Sequence, residues 1–345
     1  MYLDAMEPPA GPFQHPAEVL SKTSSFDLGR HDCDAAESAF IACQEMILRR
    51  SVAALDEARE ASDFQALFDQ LRFVFPKWRL PFIFEQLDSR LAALGRESAD
   101  LLTLRLRLRI ALRDFDGFLN LFRRSSVYFQ CGANDYWGQR FERLVSILRR
   151  NRFPDFQAPK VFGIGLSRTG TMSLTTALRR LGFFSSHFEN EFSMQLLDAD
   201  DAMIFDAMTD TPVCVQFELL YDRFENAKFV WTRLRHDRWL DAFRRHCLRV
   251  FGTSDFSVIR EIPRRFKHRP DMLDLEKIDG TLYFRYDNAE EAYEAYRNRV
   301  EGFFSNKPKD KLLVLEAGDG QEWSKLCDFL SCDLPNEPYP WENKS

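Results

Sequence analysis

Pro159-Lys160-Val161-Phe162-Gly163-Ile164-Gly165-Leu166-Ser167-Arg168-Thr169-Gly170-Thr171-Met172-Ser173-Leu174-Thr175-Thr176-Ala177-Leu178-Arg179-Arg180-Leu181-Gly182 reads as a strand, a tight loop and a helix. The apolar run Val161 to Ile164 is short, partly β-branched and bounded by Pro and Gly, the pattern of a strand covered on both faces. Gly165 to Gly170 supplies the turn. From Thr171 the period becomes helical, with Leu174, Ala177, Leu178 and Leu181 on one face and Gly182 as the stop. Such a loop aims backbone N–H groups and the positive end of a helix dipole at one point, so the stretch predicts an anion site.

The spacing G-x-x-x-x-G followed by Thr171 is that of a phosphate-binding loop, but the lysine expected after the second glycine is missing. Arg168 stands inside the loop instead. Its fixed charge and planar fork suit two oxygens of one phosphate or sulfate. Thr171 and Ser173 add hydroxyl groups. A bare G-x-x-x-x-G is also compatible with a plain strand-to-helix turn carrying a surface arginine; the full run S-R-T-G-T-x-S-L argues against that.

Ser167-Arg168-Thr169-Gly170-Thr171-Met172-Ser173-Leu174 resembles the loop of P-loop sulfotransferases, in the branch whose loop reads G-x-x-R-T-G-T-x-S-L. Further matches follow in order. Asp206-Ala207-Met208-Thr209-Asp210-Thr211-Pro212-Val213 is similar to that branch's D-A-L-T-D-T-P-V. Asn226 to Val230 resembles its second core strand, and Trp239 the tryptophan after its 3′-phosphate motif. Asp319-Gly320, Trp323, Leu326 to Leu330 and Pro335 to Pro340 resemble its closing helix and proline-rich tail. The likeness covers residues 158 to 343. It implies a P-loop NTPase-like α/β fold, a parallel sheet with helices on both faces, and PAPS (3′-phosphoadenosine 5′-phosphosulfate) as co-substrate. Ser167, Arg168, Thr169, Gly170, Thr171, Met172 and Ser173 would hold the donor's 5′ end.

Composition sets the outer limits. The 345 residues suggest about two domains, and 45% hydrophobic content is ample for packed cores. Forty-seven basic against 53 acidic residues give a net charge of −6, which gives no support to a general nucleic-acid or anionic-membrane role. The seven cysteines lack zinc or disulfide spacing and read as reduced thiols. With no basic-then-apolar leader and no long apolar run, the expectation is a cytoplasmic chain without a membrane span.

Residues 1–30, rich in Pro, Ser, Gly and His, read as a loose leader. From 31 to 152 the pattern is helical almost throughout and predicts an all-α domain preceding the sheet. Phe64, Leu67, Phe68 and Leu71 match Phe115, Phe118, Leu119 and Phe122, a hint of repeated helical hairpins at an offset that fits no standard repeat. A TPR-like array and an irregular bundle are both compatible with this. The helical half is the candidate surface for a protein partner. Prolines and a charge cluster at 149–159 mark the boundary, and the α/β domain spans 158–345. Its strands are expected at Val161 to Ile164, Lys228 to Thr232 and Lys311 to Glu316, with helices at Arg238 to Phe251 and Glu290 to Phe304.

Transfer of a sulfuryl group needs positioning, neutralisation of the leaving oxygen and a base for the acceptor. Arg168 occupies the place of the family's loop cation. Asp210, before Pro212, is the first candidate base, with a turn or helix cap as its alternative; Asp206 is a weaker one. His187, after the loop helix, is a further candidate because imidazole titrates near neutrality. The family's 3′-phosphate motif, V-R-D-P-x-x-W-x-x-S, is altered: aligned on Trp239, Leu234 takes the arginine's place and Ala242 the serine's. Arg233 or Arg235 is then the candidate for the 3′ end, although a shift of one residue reverses the face of a strand. Arg297-Asn298 stands where the family has H-N; Arg297 and Arg299 also fit a solvated helix face opposite Glu291, Glu294 and Glu301. The leading reading is a sulfotransferase acting on a hydroxyl or amine of a small molecule or glycan, with no metal required. A non-catalytic binding or scaffold module is the second, and a nucleotide kinase or NTPase the third.

Overall fold

The computed structural model of the chain describes residues 80–95, 97–129, 135–151, 159–261 and 276–342. The expected leader and the Phe64-to-Leu71 half of the suggested repeat lie outside these residues. The described chain forms two compact units, 80–138 and 139–261 with 276–342.

The first unit is helical. α1 (Leu80–Ala93), α2 (Ala99–Ala111) and α3 (Phe115–Ser125) follow one another closely. Ser98 caps α2 by accepting from the Leu101 N–H at 3.3 Å, and Asp114 caps α3 by accepting from the Gly117 N–H at 2.9 Å. Leu102, Leu104, Leu106 and Leu108 of α2 are buried, and buried Asp88 of α1 takes an N–H from Arg105 at 3.0 Å and another from Arg109. The division between the units falls inside α4 (Tyr136–Arg150), upstream of the proline-marked segment 149–159. Arg140, Arg143 and Arg150, in the part of α4 that belongs to the second unit, bond within it to Glu191, Gly182 and Asp206 respectively.

The second unit runs β1 (Val161–Gly163), α5 (Thr171–Arg180), β2 (Ser185–His187), β3 (Glu189–Asn190), β4 (Gln195–Leu196), β5 (Ala207–Thr209), α6 (Thr211–Cys214), α7 (Phe217–Arg223), β6 (Lys228–Arg233), α8 (His236–Phe251), α9 (Phe256–Ile259), a π-helical segment Glu276–Phe284, α10 (Ala289–Phe304), β7 (Leu312–Glu316) and α11 (Glu322–Leu330). Five strands form a parallel sheet in the order β2-β5-β1-β6-β7, while β3 and β4 make an antiparallel pair. This is the parallel α/β architecture predicted from the strand–helix alternation. Phe229, Val230, Trp231 and Thr232 of β6 are buried in succession, as expected of a strand covered on both faces. Leu174, Ala177 and Leu178 of α5 pack with Val161, Ala207, Val230, Leu315, Leu326 and Cys327. Each such large apolar side chain contributes about 1.5–3 kcal/mol on burial.

β2 and β5 were not among the expected strands. Ser185-Ser186-His187 is polar yet largely buried: the Ser185 hydroxyl donates to the Thr175 carbonyl at 3.1 Å and that of Ser186 to the Glu189 carbonyl at 2.6 Å. Because connections leave β1 toward β2 and β5 on one side and β6 on the other, the crevice beyond its carboxyl end is a topological switch point, the usual place for a ligand. No helix among the described residues is long and apolar enough to cross a membrane.

Candidate active site

The loop between β1 and α5 is pressed against its neighbours. A Cβ at Gly165 would lie 1.8 Å from the Thr232 hydroxyl and 2.4 Å from that of Thr169, so only glycine fits. Arg168 and Gly170 adopt left-handed φ of 71° and 93°, the alternation that turns successive N–H groups toward one side. α5 begins at Gly170 without a side-chain cap, leaving its first-turn N–H groups without intrahelical acceptors.

Several of the residues expected to bind a ligand also brace this loop. The Ser167 N–H donates to the Tyr283 hydroxyl at 3.0 Å, and the Ser167 carbonyl accepts from the Trp239 indole N–H at 3.0 Å. The buried Thr169 hydroxyl donates to the Leu166 carbonyl at 2.7 Å and lies 2.9 Å from that of Thr232. The Ser173 hydroxyl accepts from the Glu342 N–H at 3.0 Å. Tyr296 and Cys214 fix the carbonyls of Ile164 and Gly165. Arg168 lies in the same loop, and the Thr171 hydroxyl lies 3.2 Å from His187 Nε2.

Parallel register brings Asp210 and His187 together. His187 ends β2 opposite Thr209 of β5, and Asp210 is the next residue. His187 Nε2 lies 3.2 Å from Asp210 Oδ2 and 3.2 Å from the Thr171 hydroxyl, so the imidazole links Asp210 to the first residue of α5. Asp210 is buried, its Oδ1 has no hydrogen-bond partner, and its backbone sits at φ 86°, ψ −177°. That region is essentially reserved for glycine and costs about 1–3 kcal/mol in other residues. Asp210 is also the N-terminal neighbour of α6, but its side chain caps nothing there.

Two further groups surround this pair. Burial and the like charges of Arg249 and Arg245 disfavour the charged form of Arg168. Asp279, in the π-helical segment one turn before Tyr283, is pushed up to about 7 by desolvation and by the Asp210 charge. Its ionisation therefore costs stability. Below its unfolded value near 3.8 the protonated carboxyl contributes fully; the contribution is lost as pH rises through about 7. Asp279→Asn is expected to unfold like wild type at pH 4 and to be more stable by about 2–3 kcal/mol at pH 8, measured by urea denaturation at both pH values.

Asp206, the weaker candidate base, is a structural anchor. Its carboxylate accepts from Arg150 at 2.5 Å, Arg143 at 3.3 Å and the Phe184 N–H at 3.2 Å. Buried Lys160 lies beside it, lowered to about 8 by desolvation, and donates to the Phe205 carbonyl at 2.9 Å. Removing the carboxylate strands these cations. Asp206→Ala is expected to lose about 3 kcal/mol of stability, read as a lower denaturation midpoint with an unchanged slope.

At the altered 3′ motif, Leu234 gives its carbonyl to the Tyr293 hydroxyl at 3.0 Å, and Ala242 is buried. Arg233 ends β6 over the Trp231 ring, 3.3 Å from Glu316. Arg235 is exposed and paired with Asp237, so Arg233 is the better placed of the two. Arg297 pairs with Glu294 and Glu301 on its helix face, whereas Arg299 reaches inward to Glu218 and the Val215 carbonyl over the Phe217 ring. Among the described residues no group of His, Cys, Asp and Glu has the arrangement of a metal site.

The glycine loop thus stands beside a paired aspartate and imidazole, and a family model described as the sulfotransferase domain matches residues 160–345. The chain belongs to the sulfotransferase domain family. It is also 27% identical over 217 residues to the Ava biosynthesis cluster protein M of Aspergillus versicolor, covering 52% of this chain and 79% of that protein. Both the loop and the Asp210–His187 pair lie inside the sulfotransferase domain. Tyr283, Asp279 and the arginines of α8 are site neighbours that sequence reasoning missed. Only the helical spacing of Arg245 and Arg249 downstream of Trp239 carried a signal.

Proposed function

We propose that this sulfotransferase-family chain moves a sulfuryl group from PAPS to a hydroxyl or amine of a small molecule. The observation that carries the reading is the Asp210–His187 pair, which meets Thr171 at the uncapped start of α5 beside Arg168. PAPS supplies a sulfur whose bond to the phosphate oxygen breaks as its bond to the acceptor atom forms. The first-turn N–H groups of Thr171 and Met172 and the Arg168 guanidinium hold the 5′ anion, and Arg168 neutralises the departing phosphate oxygen. Asp210 Oδ1, buried without a hydrogen-bond partner, takes the acceptor's proton; His187 holds Oδ2 and orients the carboxylate. Arg233 is the residue for the 3′ end. Ava protein M carries a biosynthesis cluster in its name, which favours a small-molecule acceptor over a glycan.

One observation favours a non-catalytic module: Arg233 and Arg235 are already paired with Glu316 and Asp237. Thermal unfolding with PAP, the desulfated product, beside ADP and ATP separates the readings. PAP at about 100 times its dissociation constant is expected to add roughly 2.7 kcal/mol to the folded state. ADP, which lacks the 3′-phosphate, is expected to add less. No response to any of the three would make the module the better reading.

A further inference from the structure

A strap of residues 335–342 lies over the start of α5. Between α11 and α5 it is held at several points. The Trp323 indole donates to the Glu337 carbonyl at 2.8 Å, and its ring stands edge-on to that of Tyr339 with centroids 5.2 Å apart. Arg180 of α5 donates to the Pro338 carbonyl at 3.2 Å and pairs with the Glu337 carboxylate at 3.0 Å. Pro340 is buried. The Trp341 ring then lies 2.8 Å from where a Cβ on Gly318 would stand, and the adjacent Ala317 meets the loop at Gly170, its methyl 3.5 Å from the corresponding point there. Seated in this way, the strap delivers the Glu342 N–H to the Ser173 hydroxyl at 3.0 Å.

That bond decides what the hydroxyl can do. A serine hydroxyl has one proton to donate and two lone pairs with which to accept. Glu342 fills one lone pair of Ser173, which is only 7% exposed, and among the described residues no acceptor takes the proton. Its neighbours differ: the Thr169 hydroxyl donates to the Leu166 carbonyl and that of Thr175 to the Thr171 carbonyl. A buried donor left without an acceptor is costly, and this one stands in the first turn of α5. The first intrahelical bond there runs from the Leu174 N–H to the Gly170 carbonyl, so the N–H groups of Thr171, Met172 and Ser173 also lack intrahelical acceptors. Donors gathered at a helix start favour a charged oxygen, and a hydroxyl that already accepts a bond donates a stronger one. Resting on the sulfotransferase reading, we propose that the strap is a positioning part of the donor site. The Glu342 N–H, by occupying a lone pair of Ser173 Oγ, directs the hydroxyl proton to the 5′ anion of PAPS.

The test uses the full chain and calorimetric titration with PAP, beside inorganic pyrophosphate as a probe of the anion loop alone. Glu342→Pro deletes the N–H, whereas Glu342→Ala keeps it and serves as the control. Ser173→Ala is expected to weaken PAP roughly ten- to hundredfold and Glu342→Pro roughly fivefold, with Glu342→Ala binding like wild type. Because the strap acts through the hydroxyl, Ser173→Ala/Glu342→Pro should bind no more weakly than Ser173→Ala by itself. Trp341→Ala, which removes the seat on Gly318, loosens the same bond by a second route and should lose PAP affinity only where Ser173 is present. A folded Glu342→Pro chain that binds PAP as well as wild type, or better, overturns the proposal. Additive losses in the double variant do the same, since the strap would then support the site by another path; so does a Glu342→Ala chain as weak as Glu342→Pro. Should Glu342→Pro fail to fold, an equal loss from Trp341→Ala with and without the Ser173 hydroxyl is the overturning result. A wild-type chain that ignores PAP but binds pyrophosphate, with the same fivefold loss in Glu342→Pro, would sink the PAPS reading and leave the strap's role standing. No binding of either probe up to about 10 mM overturns both.

Discussion

Arg168→Ala is expected to slow sulfuryl transfer by about 10²–10³-fold while the protein stays folded. Both halves of that expectation come from the setting of the side chain. In the proposed scheme the guanidinium stands in the loop where negative charge grows on the leaving oxygen, and no lysine follows Gly170 to take its place. Burial and the charges of Arg249 and Arg245 oppose its charged form, ahead of the favourable charge of Asp210, and its removal is expected to leave the chain folded. Steady-state turnover with PAPS measures the first half and urea denaturation the second. A readout independent of catalysis accompanies them. His246 is held at about 4 by burial and by two arginines, Arg168 among them; in the alanine variant its NMR titration midpoint should move upward. Arg168→Lys should recover only part of the rate, because an ammonium cannot grip two oxygens in one plane. Unchanged turnover in Arg168→Ala would remove the loop from the mechanism.

Asp210→Gly is expected to cost about 10²–10⁴-fold in turnover and to make the protein more stable by about 1–3 kcal/mol. Few active-site changes are expected to move the two quantities in opposite directions this far. The turnover is lost with Oδ1, the open acceptor of the proton. Stability is gained because φ 86° with ψ −177° strains any residue with a Cβ, and because a buried carboxylate oxygen without a partner disappears. Asp210→Asn separates the two effects: it retains the strain, and so should match the glycine variant in lost turnover without its full gain in stability. Asp279 provides a third check, since its value of about 7 rests partly on the Asp210 charge and should fall in both variants. A destabilised glycine variant would mean that the His187 contact outweighs the strain.

The sheet's centre was legible because β1 and β6 are apolar runs with turn signals at their ends, and α5, α8 and α10 carry clear helical periods. β2 and β5 were not. They are three residues each, and β2 buries two serines whose hydroxyls are satisfied by carbonyls of Thr175 and Glu189, a partnership that no hydropathy pattern records. The same gap kept Asp210 and His187 apart as rival bases: only the pairing of β2 with β5 makes them neighbours. The braces of Ser167 and Thr169, Tyr283 and Thr232, were not legible because they lie far along the chain. Asp279 has no periodic or motif signal at all. Its character comes from the company it keeps after folding.

The single rod of α8 has a consequence for how such an enzyme can diversify. Its first turn is pinned to the donor loop by Trp239, and the exposed arginines follow on the same sixteen-residue helix. One residue inserted between them would swing the downstream face, with Arg245 and Arg249, by about 100° relative to the loop. A lineage can therefore repaint this surface by substitution, exchanging charge for bulk or polarity at positions 245 and 249, but it cannot re-aim it by changing length. Change on this face should arise by point mutation with the helix kept at constant register.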